Sequence, residues 1–264
     1  MKRCYNVSMY TVDLNCDMGE SYGAYTIGDD AGVVQYISSA NIACGLHASD
    51  PATMKKTVRL CMDHNVMAGA HPGYPDLAGF GRRQIEMADD QIVDIVLYQV
   101  GALKAFTDYF GMPLQHVKLH GALYHYALKK QDLFLDIVRA LQITFGDVIV
   151  LTLATSESAR LKRACASDGI RLALEAFPDR EYTDEGTLLP RKYPEAVITD
   201  PERIARRAMN MVKERSCKSV SGHRIELEID TLCIHGDNDG SIRTASLIRD
   251  YAQHEGITIK ALGT

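Results

Sequence analysis

A chain of 264 residues, 46% hydrophobic and 24% charged, has an ordinary globular composition and is long enough for one large α/β domain spanning residues 1–264. The formal net charge of -5 arises from scattered acidic and basic side chains without a basic block, so neither nucleic acid nor an anionic membrane is an expected partner. No apolar run reaches the ~18 residues of a bilayer span; residues 1–10 lack the apolar stretch of a signal peptide, and the seven cysteines include no C-x-x-C pair, so reduced thiols in the cytoplasm are expected.

Residues 9–15 read as the first strand, which runs into Cys16-Asp17-Met18-Gly19-Glu20. Asp13, Asn15 and Asp17 alternate and so share one strand face, a costly arrangement in a buried strand unless they bind something or one another. The glycine-punctuated stretch 19–28 reads as a lid or binding loop. A short helix over 30–36 precedes a second strand, which passes Asn41, breaks at Gly45 and presents His47. Asp50-Pro51 then supplies a helix cap and a proline suited to the first helical position. Met54, Val58, Leu60 and Cys61 recur at helical spacing through 52–65. The third strand, 66–70, ends in His71-Pro72-Gly73-Tyr74-Pro75, whose prolines forbid an immediate helix. Arg82 and Arg83, beside Gly79 and Gly81, suit an anionic ligand, because guanidinium forks match carboxylate or phosphate.

A long amphipathic helix over 88–110 leads to a fourth strand at 116–120, on which Lys118 and His120 share a face. Helices at 132–145 and 156–168 alternate with strands at 148–153 and 170–174, the latter leading into Glu175. The polar loop 181–194 is long enough to cover a site. Asp200-Pro201 repeats the helix-start signature, and 219–229 reads as a hairpin turning near Ser221-Gly222. A strand at 231–234 delivers His235-Gly236-Asp237, followed by a helix over 241–254 and a short final strand.

Strand, turn and helix thus alternate about seven times, which demands a parallel sheet covered by helices. Of the two architectures that satisfy this, a closed barrel and an open doubly wound sheet, the count favours an irregular TIM-like (β/α) barrel of about seven strands. His47, His71, His120 and His235 follow strands, as do Asp17, Glu175 and Asp237, and a barrel brings such turns to one mouth. A rim of His, Asp, Lys and Arg supports acid–base chemistry or a divalent metal, with Asp17, His47 and His71 as candidate ligands. Lys118 among these groups either polarises a carbonyl or titrates low enough to act as a base. Hydrolase or lyase chemistry follows. The sequence has no P-loop, no Rossmann fingerprint, no nucleophile elbow and no H-E-x-x-H motif.

Asp13-Leu14-Asn15-Cys16-Asp17-Met18-Gly19-Glu20, Ala40-Asn41-Ile42-Ala43-Cys44-Gly45-Leu46-His47 and Gly69-Ala70-His71-Pro72-Gly73-Tyr74-Pro75-Asp76 resemble the LamB/YcsF family. So do Gly79-Phe80-Gly81-Arg82-Arg83, Lys118-Leu119-His120-Gly121-Ala122-Leu123-Tyr124 and His235-Gly236-Asp237, so that the resemblance runs from about Val12 to the last helix. Leu119, where that family usually has proline, and the charged extension Asn238-Asp239 are local departures. The resemblance implies an irregular barrel related to glycoside hydrolase and deacetylase barrels. It implies ATP-dependent opening of 5-oxo-L-proline to L-glutamate, with ATP as co-substrate, 5-oxoprolinase subunits B and C as partners, and room for a divalent metal such as magnesium. On that basis Arg82 or Arg83 is expected to hold the substrate carboxylate, and Lys118 and Asn41 to stabilise charge on the ring oxygen. His71, His120 or Asp13 is expected to act on water, and His47 and His235 to shape the pocket or hold a metal. Asn15, Glu175 and Asp237 complete the expected substrate-binding set. The rival readings are a metal-dependent deacetylase of an N-acetylated carbohydrate, with Asp13 or Asp17 and two histidines as its metal triad, and a non-catalytic binding or regulatory subunit.

Overall fold

Alternation along the first strand decides which way the sheet faces. In the computed structural model, which describes residues 10–235 and 240–264, β1 spans Tyr10–Met18. Leu14, Cys16 and Met18 are fully buried in the main apolar core, and the alternate residues Asp13, Asn15 and Asp17 turn to the opposite side. Strands β2 (Ser39–Ala43), β3 (Met67–His71), β4 (Leu114–Lys118), β5 (Ile149–Leu153) and β6 (Arg171–Ala176) join in sequential, parallel order. After an antiparallel hairpin, β7 (Ser216–Lys218) with β8 (Arg224–Glu226), the chain returns as β9 (Thr231–Ile234). β9 pairs in parallel with both β6 and β1 and so closes a seven-stranded barrel. Strand β10 (Ile257–Ile259) extends the same edge of β1 below β9, pairing with Tyr10, Thr11 and Val12.

The flanking helices among the described residues are α1 (Asp30–Val33), α2 (Pro51–Asp63), α3 (Asp89–Tyr109), α4 (Gly121–Lys129), α5 (Gln131–Phe145), α6 (Ser156–Ala166), α7 (Pro201–Glu214) and α8 (Ser241–His254). Both Asp-Pro signatures work as expected. The Asp50 carboxylate accepts from the Ala52 and Thr53 amides, and Asp200 accepts from Glu202, with Pro51 and Pro201 at the helix starts. α2 buries Met54, Thr57, Val58 and Cys61 and leaves Leu60 only half-buried. None of the described helices is long and apolar enough to cross a membrane. The six described cysteines are free and buried.

One local expectation changes, and one helix appears where the sequence pattern marked none. β4 ends at Lys118, so His120 is no longer a strand residue: its amide donates to Pro72 O, and its carbonyl accepts from Tyr124 to start α4. α4 itself carries no legible start signal, because its N-cap is His120 and no side chain caps it.

The apolar core lies between barrel and helices, while the lumen is polar over most of its height. Only at the lower end do Ile149, Leu151 and Ala173 form a separate apolar cluster, against which Leu262 packs.

Candidate active site

The lumen is a column of polar side chains tied together from floor to mouth. At the floor, Asp13 accepts hydrogen bonds from Ser38 (2.7 Å), Ser39 (2.8 Å) and Thr231 (2.5 Å). Burial pushes its carboxyl above the ordinary range, although these hydroxyls pull the other way. Four residue steps along the strand, about 13 Å at about 3.3 Å each, separate Asp13 from Asp17. Asp13, expected to act on water, therefore lies at the floor with both carboxylate oxygens accepting from hydroxyls.

One layer up, Asn15 Nδ2 donates to Thr231 Oγ1 (2.7 Å). Asn41 Nδ2 donates both to Asn15 Oδ1 (2.7 Å) and to Asp17 Oδ1 (2.8 Å). Asn41 Oδ1 lies 2.8 Å from His116 Nε2. Asn15 and Asn41, both expected to bind substrate, thus have their amides engaged with one another, with Asp17 and with the residues beside them. His116 enters the lumen because Gly69, facing it on β3, has no side chain: a Cβ there would collide with the imidazole at Nε2. Burial, then the Lys118 charge, lowers His116 to about 3, so the ring is neutral near pH 7.

At the mouth Lys118 is the hub. Its ammonium lies 2.9 Å from Asp17 Oδ1, 3.0 Å from Glu175 Oε1 and 2.9 Å from Cys233 Sγ, and 5.3 Å from the Phe177 ring centroid. Burial alone would lower Lys118; Asp17, Cys233 and Glu175 outweigh it and hold the ammonium well above its ordinary range. Of the two expectations for Lys118, this direction supports the one in which it supplies positive charge. Burial likewise works against ionised Asp17, but Lys118 and His71 overcome it and hold that carboxyl well below the ordinary range.

Beside this ion cluster three imidazoles converge. His71 Nδ1 donates to Lys118 O (2.7 Å) and His120 Nε2 donates to Phe80 O (2.8 Å). His71 Nε2 then faces His120 Nδ1 at 3.0 Å and Asp17 Oδ2 at 3.4 Å. His47 stacks on His120, with ring centroids 3.8 Å apart, and neither of its ring nitrogens has a hydrogen-bond partner. Burial, reinforced by the neighbouring imidazoles, lowers both His47 and His120 well below the ordinary histidine range. The close packing depends on Gly81, with φ of 63°, where a Cβ would lie 2.8 Å from both His47 Cβ and His120 Cδ2.

The remaining expected residues divide. Glu175 joins the mouth through Lys118, and Tyr124 Oη donates to its Oε2 (3.4 Å). His235 reaches it from β9, donating from Nδ1 to Asp179 Oδ2 (2.5 Å) and stacking on Phe177. Arg82 lies at the exposed rim over the Phe80 ring. Arg83 instead turns to Asp76, which it grips through Nε (3.1 Å) and Nη2, so of the two arginines expected to hold the substrate carboxylate it is the one already paired with a carboxylate of the chain. Asp237 lies outside the described residues. Sequence patterning misses Glu20, which stands close to His71 and His120. It also misses His116 and Asp179. Alternation along β4 marks His116, two residues before Lys118; Glu20 and Asp179 lie on loops, where no periodicity points inward.

The sequence profile of the LamB/YcsF family matches residues 12–264. The A subunit of a 5-oxoprolinase from Pyrococcus furiosus is 47% identical over 252 residues, covering 96% of this chain and 98% of its own. The crystal structure of the lactam utilization protein from Thermus thermophilus superposes with a TM-score of 0.87 at 40% identity, covering 96% of this chain and 100% of that one. A GH113 β-1,4-mannanase, at 9% identity and a TM-score of 0.51, shares the barrel fold and covers 92% of this chain and 99% of its own. The motifs that build the lumen and its mouth thus lie within a match spanning nearly the whole sequence, and the chain belongs to the LamB/YcsF family.

Proposed function

We propose that this chain hydrolyses a cyclic amide, opening 5-oxo-L-proline to L-glutamate with ATP as co-substrate and in assembly with partner subunits B and C. The names carried by the relatives support the lactam substrate. The observation that carries the chemistry is the Lys118 ammonium, locked between Asp17 and Glu175 beside neutral imidazoles.

A five-membered lactam is a stabilised amide that water attacks slowly. Transfer of the ATP γ-phosphoryl group to its oxygen, with ADP leaving, makes the ring carbon electrophilic. Water adds there, the ring C–N bond breaks as the nitrogen takes up a proton, and a second water hydrolyses the acyl phosphate to the carboxylate and phosphate. The site must hold one carboxylate, stabilise negative charge and position water. Arg82 at the rim is suited to the substrate carboxylate. Lys118 supplies positive charge beside the amide oxygen as it is phosphorylated, and its pre-set partners spare reorganisation during the reaction. His47, stacked on His120 with neither ring nitrogen hydrogen-bonded, shapes the pocket in which the water is held.

The test is reconstitution. The purified chain is assayed alone and with subunits B and C, supplied with 5-oxoproline and ATP, and glutamate is measured. Glutamate formation in the full mixture, lost with Lys118→Met, is the expected result. No glutamate from the full mixture, or undiminished turnover by the Lys118 variant, overturns the proposal.

A further inference from the structure

We infer that Glu20, His71 and His120 form a site for one divalent transition-metal cation of the zinc class at the barrel mouth. The inference deepens the lactam-hydrolase reading, since the site shares its pocket, but it rests on separate observations.

The first is convergence. Carbonyl oxygens only accept hydrogen bonds, so Lys118 O orients His71 through Nδ1, and Phe80 O orients His120 through Nε2. The other nitrogen of each ring, His71 Nε2 and His120 Nδ1, is thereby aimed inward, and these two atoms are 3.0 Å apart. Asp17 Oδ2 lies 3.4 Å from the same His71 nitrogen. Two ring nitrogens are thus held on one point by their own backbone partners, as ligands of one cation are.

The second is spacing. The donor atoms of Glu20, His71 and His120 all lie within 4.8 Å of one another, and all three side chains are buried. Two nitrogens bound at about 2.1 Å to one tetrahedral metal lie about 3.4 Å from each other, and the observed 3.0 Å is within a few tenths of an ångström of that separation. The backbone carbonyls that orient both rings are the outer-shell partners that metal-bound histidines keep.

The third is donor chemistry. Asp17 and Glu175 flank the Lys118 ammonium, whereas the buried Glu20 carboxylate stands beside the two imidazoles. Two imidazoles with one carboxylate suit zinc and its neighbours, whereas magnesium prefers oxygen donors and retained water. The set shares His71 with the ligands expected from sequence and replaces Asp17, which Lys118 holds, and His47, which stacks on His120, by Glu20 and His120.

The experiment uses the full chain stripped with chelator, with cobalt(II) as the probe. Equilibrium dialysis with metal analysis is expected to give one cobalt per chain, with a visible d–d spectrum of low coordination number, displaced by zinc and not by magnesium. His71→Ala and His120→Ala are expected to weaken binding by at least about 100-fold. Glu20→Gln, which preserves shape and guards against misfolding, is expected to weaken it by about 10- to 100-fold. His254→Ala, at the far end of α8, is expected to bind as the parent does. Absence of stoichiometric cobalt on the parent, unchanged binding by the ligand variants, or equal displacement by magnesium overturns the inference. Because the readout is binding, cobalt uptake without glutamate formation sinks the lactam reading alone, and glutamate formation without cobalt uptake sinks the metal site alone.

Discussion

Lys118 Nζ sits 2.9 Å from Asp17 Oδ1, with Lys118 3% and Asp17 8% exposed. A buried pair of this kind adds little against an apolar replacement of both partners, but removing one leaves an uncompensated charge. Lys118→Met keeps the length of the side chain and strands both Asp17 and Glu175. A loss of about 3–5 kcal/mol in urea unfolding is expected. Asp17→Asn in the Lys118→Met background should restore part of it. A Lys118→Met protein that unfolds at the parent's urea midpoint refutes the role assigned to the pair.

Gly69 carries a second expectation. The imidazole that a Cβ would strike is held by Asn41 on one side and Gln115 on the other, so it cannot swing aside as a flexible side chain would. Gly69→Ala is expected to cost about 1–3 kcal/mol by overpacking. His116→Ala in the same background reopens the space. If the double variant is no more stable than Gly69→Ala alone, steric conflict is not the cause.

The parts of the molecule legible in sequence are those governed by periodicity and capping. Asp50-Pro51 and Asp200-Pro201 announce α2 and α7 because a side-chain cap is a local event. The alternation of Asp13, Asn15 and Asp17 announces a polar lumen face because a strand has a period of two. Height along the barrel is not local. Whether Asp13 or Asp17 meets the substrate depends on the register between β1 and its neighbours, which pairs Asp13 with Thr231 at the floor and Asp17 with Asn41 above. Arg82 and Arg83 look alike in sequence, and only the fold of their loop places Asp76 beside one of them.

That difference is measurable. A charge-assisted contact from Arg82 to the substrate carboxylate contributes about 1.5–3 kcal/mol, equivalent to about a 10- to 100-fold rise in KM when lost. Arg82→Ala should show this rise in the reconstituted assay with kcat little changed. Arg83→Ala, which frees the Asp76 loop without touching substrate, should keep KM near the parent's and make the loop more susceptible to proteolysis. The reverse pattern exchanges the two roles.

Asp13 makes the floor sensitive to pH in a direction opposite to that of Asp17. Burial raises its carboxyl above 3.8, so the folded state prefers the protonated form. The stabilisation from that proton is complete below 3.8 and is lost as pH rises through the higher folded value. Asp13→Asn keeps the shape and removes the titration. Asp17, depressed and unchanged in both proteins, cancels from the difference. The parent should therefore gain stability relative to Asp13→Asn as pH is lowered from about 7 to about 4, read by urea unfolding at each pH. A difference that is flat or runs the other way means that the Ser38, Ser39 and Thr231 hydroxyls outweigh burial, and that the floor carries an ionised carboxylate throughout.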